Sequence, residues 1–153
     1  MGRVLGGWET ALLGFWQTGI PFTVVDGSPA INLPGITSDR PNQTHAAALP
    51  SPSINKWFDT TAFVRQTLGT PGNEASDSVY GPRLRSVDMS LLKDIAFNEQ
   101  MKFQFRAEFF NVLNVPNFGP PASGMTTPQF GVISSTAGNM TPRQMQFALK
   151  FLF

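Results

Sequence analysis

The sequence lacks the side chains on which most enzyme mechanisms depend. It has no Cys and a single His, His45, which lies beside the alanines at positions 46–48. There is no G-x-S-x-G element to present a nucleophile, and no pair of carboxylates has a spacing suited to general acid–base catalysis. We therefore expect no enzyme activity, no cofactor and no metal site.

Charge is also scarce. Charged residues make up 14% of the chain, against about 25% in an average globular protein. The net charge is +1, and the sequence contains no run of Lys and Arg that would form a basic patch. We expect no nucleic-acid partner.

Long apolar runs are the third absence. No stretch approaches the ~18 apolar residues of a transmembrane helix. The N-terminus does not have a signal-peptide pattern either, because Glu9 interrupts its first apolar stretch. Pro and Gly are instead abundant, at 13 and 14 residues, together with 14 Phe.

The most informative segment is the C-terminal one, residues 143–153, in which apolar residues occupy every second position. The apolar row consists of Met145, Phe147, Leu149, Phe151 and Phe153. The opposite row contains Gln144, Gln146 and Lys150. A period of two places one row on each face of a β-strand. An apolar row against lipid and a polar row against the lumen is typical of an outer-membrane barrel strand.

Three further segments, at 8–18, 86–96 and 102–112, show the same alternation, which in the second fails at Leu92–Lys93. All 13 prolines lie outside the four segments, as expected if these are paired strands. We predict that their lipid-facing residues are Trp8, Leu12, Trp16, Phe103, Phe105 and Phe109. We predict that their lumenal polar residues are Glu9, Asp88, Gln104, Arg106 and Glu108.

The connections between these segments differ in length. Residues 97–101 form a short connection, whereas 19–85 and 113–142 are long. If the C-terminus lies on the periplasmic side, both long connections are extracellular and the short one is periplasmic, as in bacterial barrels. The sequence therefore predicts an all-β fold, in which antiparallel up-and-down strands form a four-stranded sector of a transmembrane barrel with two long extracellular loops. We expect cross-strand ion pairs among Arg106, Glu108 and Lys150, and solvated polar side chains in the loops, including Asp26, Asp39, Arg40, Asn42, Asn55, Asp59 and Arg65.

Several motifs, in order, resemble the C-terminal end of Oar-like TonB-dependent outer-membrane receptors. They are Leu5-Gly-Gly-Trp8, Thr18-Gly-Ile-Pro-Phe-Thr23, Arg40-Pro-Asn42, Trp57-Phe-Asp-Thr-Thr-Ala-Phe63, Phe103-Gln-Phe-Arg-Ala-Glu-Phe-Phe-Asn-Val-Leu-Asn-Val-Pro-Asn-Phe-Gly119, Phe130-Gly131 and Pro142-Arg143-Gln-Met-Gln-Phe-Ala-Leu-Lys150. The resemblance implies a bacterial outer-membrane location and a full-length receptor with a signal peptide, often a carboxypeptidase regulatory-like β-domain, a plug and a barrel of about 22 strands. Residues 1–153 would then be the C-terminal part of that barrel, and the missing signal pattern suggests a fragment.

The same resemblance implies a function and partners. The full-length protein would couple solute uptake to the TonB complex through its plug, while the barrel contacts outer-membrane lipid. The terminal apolar row resembles the signal that the barrel assembly machinery recognises, and β-augmentation would supply the binding. Two other functions remain open: an outer-membrane adhesin or structural β-protein without transport, and a soluble secreted β-sandwich.

Overall fold

The computed structural model describes residues 6–27, 39–98, 100–138 and 140–153. Leu5 and Glu99, which belong to the segments analysed above, lie outside these ranges. The strands are β1 (Trp8–Gln17), β2 (Pro21–Phe22), β3 (Asn42–Gln43), β4 (Phe63–Val64), β5 (Val79–Tyr80), β6 (Leu84–Ala96), β7 (Lys102–Phe110) and β8 (Gln144–Leu152). A single 3₁₀ turn at Thr60–Ala62 is the only helical element among the described residues. None of the described helical structure is long and apolar enough to cross a membrane.

The four long strands form one antiparallel sheet in the order β1-β6-β7-β8. Each strand pairs with the next long strand along the chain, so the sheet is an up-and-down meander. Residues 18–83 join β1 to β6 and residues 111–143 join β7 to β8, so both long connections leave from the same end of the sheet. The short connection after Ala96 lies at the other end. The predicted all-β, antiparallel, up-and-down fold is confirmed.

Some strands begin or end at residues other than those predicted, because local hydrogen bonds set their ends. β7 ends at Phe110 and not at residue 112, because Asn111 has a left-handed backbone with φ of 49°. Asn is one of the few residues that adopt this conformation readily. The Asp88 carboxylate accepts the Asn111 backbone N–H at 2.8 Å and so holds the bend in place. β6 begins at Leu84, earlier than predicted, because Leu84 and Arg85 pair with Gln17 and Trp16.

The break in alternation at Leu92–Lys93 does not interrupt β6. The register runs without a slip through Lys93, which lies opposite Trp8 on β1 and Phe105 on β7. Lys93 therefore belongs to the apolar face, where it is only 6% exposed. The broken pattern marks a buried cation on a continuous strand.

The chain divides into two compact units. The sheet belongs to the first unit; the second comprises the described residues between 18 and 83 together with 118–137. This second unit, the loop unit, has its own core of Val24, Ala47, Phe58, Ala62, Phe63 and Val79. Phe58 is 1% exposed, and its ring contacts those of Phe22, Phe63 and Phe130 at centroid distances of 5.9, 5.8 and 5.3 Å.

The expectation of uniformly solvated loops is therefore wrong for part of the loop unit. Asp26 is 3% exposed, and its Oδ1 lies 3.1 Å from Nε of Arg65. Arg40 donates to the backbone oxygen of Glu74 at 3.0 Å. The two long connections contribute to one core, since Val25 pairs with Gly124 and the Trp57 N–H donates to Gly131. These polar side chains are ordered because aromatic residues of both long connections pack into one core. Such a core produces no local period in the sequence, so the sequence pattern could not indicate it.

Candidate functional site

The sheet has one face that is almost wholly apolar. Directly paired residues share a face, and the register pairs Phe103 with Phe151, Phe105 with Leu149, and Phe109 with Met145. This apolar face contains every residue predicted to face lipid: Trp8, Leu12, Trp16, Phe103, Phe105 and Phe109. It also contains the predicted terminal row of Met145, Phe147, Leu149 and Phe151. Seven of these ten side chains are exposed, for example 69% for Leu12 and 70% for Leu149, whereas Phe103, Phe105 and Phe109 are half-buried.

The opposite face is polar. It contains every residue predicted to be lumenal: Glu9, Asp88, Gln104, Arg106, Glu108, Gln144, Gln146 and Lys150. Leu13 and Phe15 of β1 also lie on this polar face, since they pair with Asp88 and Ser86. The register places the two predicted rows on opposite faces, and their contact with lipid and lumen stays a prediction. The pattern did not identify the apolar residues on the polar side of β1.

The ion pairs on the polar face differ from those expected. Nη2 of Arg106 lies 2.6 Å from Oε1 of Glu108 on the same strand, so the predicted cross-strand pairing is wrong for these two residues. The cross-strand pair instead joins Lys102 to Asp94 at 3.3 Å. Gln104 also donates to Asp94, at 2.9 Å. Residues two apart on a strand point to the same face, which allows the Arg106–Glu108 contact within β7.

Each end of the apolar face carries a Trp beside a cation. At the end near the short turn, Trp8 is the direct partner of Lys93, whose Nζ lies 4.9 Å from the indole centroid. The Lys93 amine also donates to the backbone oxygen of Gly6. At the other end, Trp16 is the direct partner of Arg85. Indole rings and long cationic side chains with apolar stems are typical of the boundary between an apolar layer and water.

Phenylalanine rings fill the corner of the apolar face at the end of β8. Phe151 lies 4.8 Å from Phe103 and 5.7 Å from Phe153 between ring centroids. Phe97, in the short turn, contacts Phe103 at 5.3 Å. Phe153 follows the end of β8 and is 94% exposed, yet its stacking on Phe151 keeps it on the predicted side.

A cavity of about 250 Å³ lies at the Arg85 end of the sheet. It is lined by Trp16, Arg85, Ser86, Val87, Leu113 and Val115. Asn117 is 4% exposed and holds the Arg85 backbone on one side. Its Oδ1 accepts the Arg85 N–H at 2.7 Å, and its Nδ2 donates to the Arg85 carbonyl at 2.9 Å. The amide of Asn117 thus substitutes for a pairing strand beside Arg85.

The loop unit has a second cavity, of about 300 Å³, with an aromatic floor of Trp57 and Phe58 and a wall that includes Ala46, Ala47 and Ala48. The Trp57 indole N–H donates to the Tyr80 carbonyl at 2.8 Å, which fixes the plane of the ring. No charged side chain lines this cavity. Its chemistry suits a neutral group with an apolar surface.

His45 lies next to Ala46 of this cavity, and its ring nitrogens contact Asp59 and Thr44. Its Nε2 is 3.3 Å from Oδ2 of Asp59, and its Nδ1 is 3.0 Å from the Thr44 hydroxyl. Asp59 caps the 3₁₀ turn by accepting both the hydroxyl and the backbone N–H of Thr61. The Thr61 hydroxyl, followed by His45, lowers the pKa of Asp59 to about 2. Within the described ranges, no group of three or more His, Cys, Asp or Glu could hold a metal ion.

The loop unit also contains a buried carboxyl, that of Glu74. Glu74 is 1% exposed, and its Oε1 accepts the Val24 N–H at 3.0 Å and the Ser78 hydroxyl at 2.9 Å. Burial raises the pKa of Glu74, although these two hydrogen bonds oppose the rise. Glu74 as a whole residue links separated parts of the chain, because its carboxyl binds Val24 and Ser78 while its backbone carbonyl accepts from Arg40.

A family model described as an outer membrane beta barrel domain matches residues 1–146. The chain belongs to this family. A search of curated proteins found no match to the chain. A search of solved structures found none either. Membership in this family shows that the four-stranded sheet is part of a β-barrel. It also places the protein in the bacterial outer membrane. This location excludes the soluble secreted alternative.

Three residues of the barrel domain that organise the sheet were not identified as site residues from the sequence. Asn111 and Asn117 form side-chain bonds that replace strand pairing, and Lys93 lies on the apolar face. All three residues lie where the alternation of apolar and polar residues is interrupted. The repeated Asn in residues 109–117 was a usable signal, because Asn both adopts left-handed backbone and mimics backbone hydrogen bonding.

Proposed function

We propose that this barrel domain forms wall strands and surface loops of an Oar-like TonB-dependent receptor that imports a solute across the outer membrane. The register supports the barrel-wall part of the proposal, because it separates a lipid-compatible apolar face from a polar face across all four strands. The resemblance of residues 103–119 and 142–150 to Oar-like receptors supports the transport part. The polar face lines the lumen in this proposal, and the apolar face contacts lipid. The chain performs no chemistry on the solute.

The loop unit supports a role in capturing the solute. Extracellular loops on a rigid barrel are the usual position for ligand recognition. Here the loops carry a buried aromatic core and a neutral cavity of about 300 Å³ beside Trp57. A prefolded loop unit loses less conformational entropy on binding than a solvated loop does.

The proposal is tested by genetics that requires no knowledge of the solute. One strain lacks this gene, a second lacks the gene for TonB, and the solutes left in spent medium are compared by mass spectrometry. We expect at least one solute to remain in both media and to disappear in the parent strain. If every solute consumed by the parent is also consumed without this gene, uptake is refuted and the adhesin alternative is favoured.

A second proposal concerns assembly. β8 is an edge strand of the sheet, paired with β7 on one side, and the residues Gln144–Phe151 are all exposed. Its open backbone edge suits β-augmentation by the barrel assembly machinery, with Phe151 and Phe153 as apolar anchors.

Two matched variants test this assembly proposal. Phe153→Ser removes the terminal ring, whereas Leu68→Ser changes an apolar side chain that is 83% exposed in the loop unit. We expect the first variant to lower the amount of protein in the outer-membrane fraction and the second to leave it unchanged. Equal amounts for Phe153→Ser and the unchanged protein would exclude the terminal ring as a recognition element.

A further inference from the structure

We propose that the cavity beside Trp16 and Arg85 binds the phosphate-bearing headgroup of a membrane lipid. This inference depends on the outer-membrane location of the family and not on solute uptake. It assigns a ligand to a surface of the barrel wall that lies outside the proposed solute path.

The first argument is position. Arg85 and Trp16 are direct partners on the apolar face, at the end from which both long connections leave. Toward the sheet centre, the same face continues with Val87 and Met89, which pair with Gly14 and Leu12. A lipid whose chains lie along these side chains would have its headgroup beside Arg85.

The second argument is charge. Among the described residues, no ion pair engages the Arg85 guanidinium. Lys93, the cation at the opposite end of this strand pair, donates to Gly6 and lies over Trp8. The guanidinium can donate two parallel hydrogen bonds to phosphate oxygens, which a single ammonium cannot do.

The third argument is preorganisation. The Arg85 backbone lies beside Trp16, its direct partner on β1, and is fixed on its other side by Asn117, whose Oδ1 accepts the Arg85 N–H and whose Nδ2 donates to the Arg85 carbonyl. Val87, Leu113 and Val115 supply apolar walls suited to the glycerol backbone and upper acyl chains. The Leu113 side chain is 66% exposed, which is expected of a wall that a lipid completes. A cation, an indole and three aliphatic side chains around one cavity therefore match an amphiphilic anion better than a free ion.

The test uses the barrel protein that contains these residues, reconstituted into bilayers with equal amounts of phosphatidylglycerol and phosphatidylcholine that have identical acyl chains. After extraction into mild detergent, native mass spectrometry measures the lipids retained on the protein. We expect preferential retention of one phosphatidylglycerol. Equal retention of the two lipids by the unchanged protein would refute the inference without any mutation.

Two charge-matched variants locate the site. Arg85→Gln removes the cavity guanidinium, and Arg143→Gln removes an exposed guanidinium that does not line the cavity. We expect Arg85→Gln to lower phosphatidylglycerol retention about tenfold, as the loss of a charged hydrogen-bond donor implies, while Arg143→Gln has no effect. An equal loss in both variants would show that general surface charge causes retention and would overturn the assignment.

A third arm separates a lipid headgroup from free phosphate. Excess inorganic phosphate should leave the retained phosphatidylglycerol in place, because Val87, Leu113 and Val115 hold the apolar part of the lipid. Complete displacement by inorganic phosphate would identify an ordinary anion site and refute lipid recognition. Solute uptake in living cells is a separate measurement, so either proposal can fail while the other stands.

Discussion

The indole of Trp16 lies directly over Gly14 on the same face of β1. A Cβ added to Gly14 would lie 2.0 Å from an indole ring carbon, so the ring occupies the space that any other residue would fill. An aromatic ring that covers a strand glycine compensates for the missing side chain. This contact orients Trp16 beside Arg85 at one boundary of the apolar face.

The contact predicts a coupling between these two residues. Gly14→Ala should displace the indole, and because that ring is 71% exposed and can rotate aside, we expect a cost of up to about 1 kcal/mol, the low end of the cost of overpacking. In a Trp16→Ala background the same change should be nearly neutral, since the obstructing ring is gone. Urea titrations of the four proteins of this double-mutant cycle measure the coupling, and additive effects would contradict the contact.

A positive charge should distinguish the two faces of β8. Phe147 lies on the apolar face, where its ring contacts Phe105 and Phe109, and Gln146 lies next to it on the polar face. We expect Phe147→Lys to cost about 2–4 kcal/mol near the bilayer midplane, and Gln146→Lys to cost much less. Phe147→Ala separates loss of the ring from introduction of charge. Unfolding free energies in vesicles measure all three variants. Equal costs for the two lysines would contradict the assignment of the faces, and a larger cost for Gln146→Lys would reverse it.

The loop unit should depend on Phe58. This ring is 1% exposed and meets three other rings, so Phe58→Ala should cost about 3–5 kcal/mol by leaving a cavity. Leu68→Ala is the matched control, because Leu68 is 83% exposed. Limited proteolysis of residues 39–83 reports on the loop unit alone. Unchanged cleavage in Phe58→Ala would mean that the aromatic core does not hold this unit together.

The acid stability of the loop unit should depend on Asp59. Hydrogen bonds from the Thr61 hydroxyl, which is the largest cause, from His45 and from the Thr61 backbone lower the pKa of Asp59 from 3.8 to about 2. Because the folded-state pKa is depressed, the stabilising contribution is present above about pH 4 and is lost as the pH falls toward about 2. The difference in unfolding free energy between the unchanged protein and Asp59→Asn should therefore shrink across that window. Thr61→Ala removes the largest cause and should weaken the pH dependence, whereas a difference that stays constant from pH 5 to about 2 would exclude this carboxyl as the source.

The sheet could be predicted from the sequence because residues on the two faces of a strand alternate along the chain. Period-two rows identified four strands and both faces, down to Gln144 and Gln146. The expected cross-strand ion pairing was wrong for Arg106 and Glu108, which pair with each other on one strand, because alternation fixes the face of a side chain but not the neighbour that its terminal atoms reach. The core around Phe58 could not be predicted, since it unites segments more than 50 residues apart, such as Val25 and Gly124.

Asn111 and Asn117 show a further limit of sequence patterns. A polar residue inside or after a strand pattern usually predicts a loop. Here the Asn111 side chain accepts the Val115 N–H at 3.1 Å, and Asn117 completes the hydrogen bonding of Arg85. Both side chains form hydrogen bonds of the kind that backbone groups form within a sheet, and the repeated Asn indicates this capacity but does not identify the partners.

Site-directed spin labelling tests most directly the central claim that the apolar face of this sheet contacts lipid. The chain has no Cys, so single cysteines introduced along residues 144–151 can be labelled without background. Collision with lipid-soluble oxygen and with a water-soluble nickel complex is then measured at each position in bilayers. We predict high oxygen access at 145, 147, 149 and 151 and high nickel access at the alternate positions. Accessibility without a period of two, or with the two sets exchanged, would contradict the account.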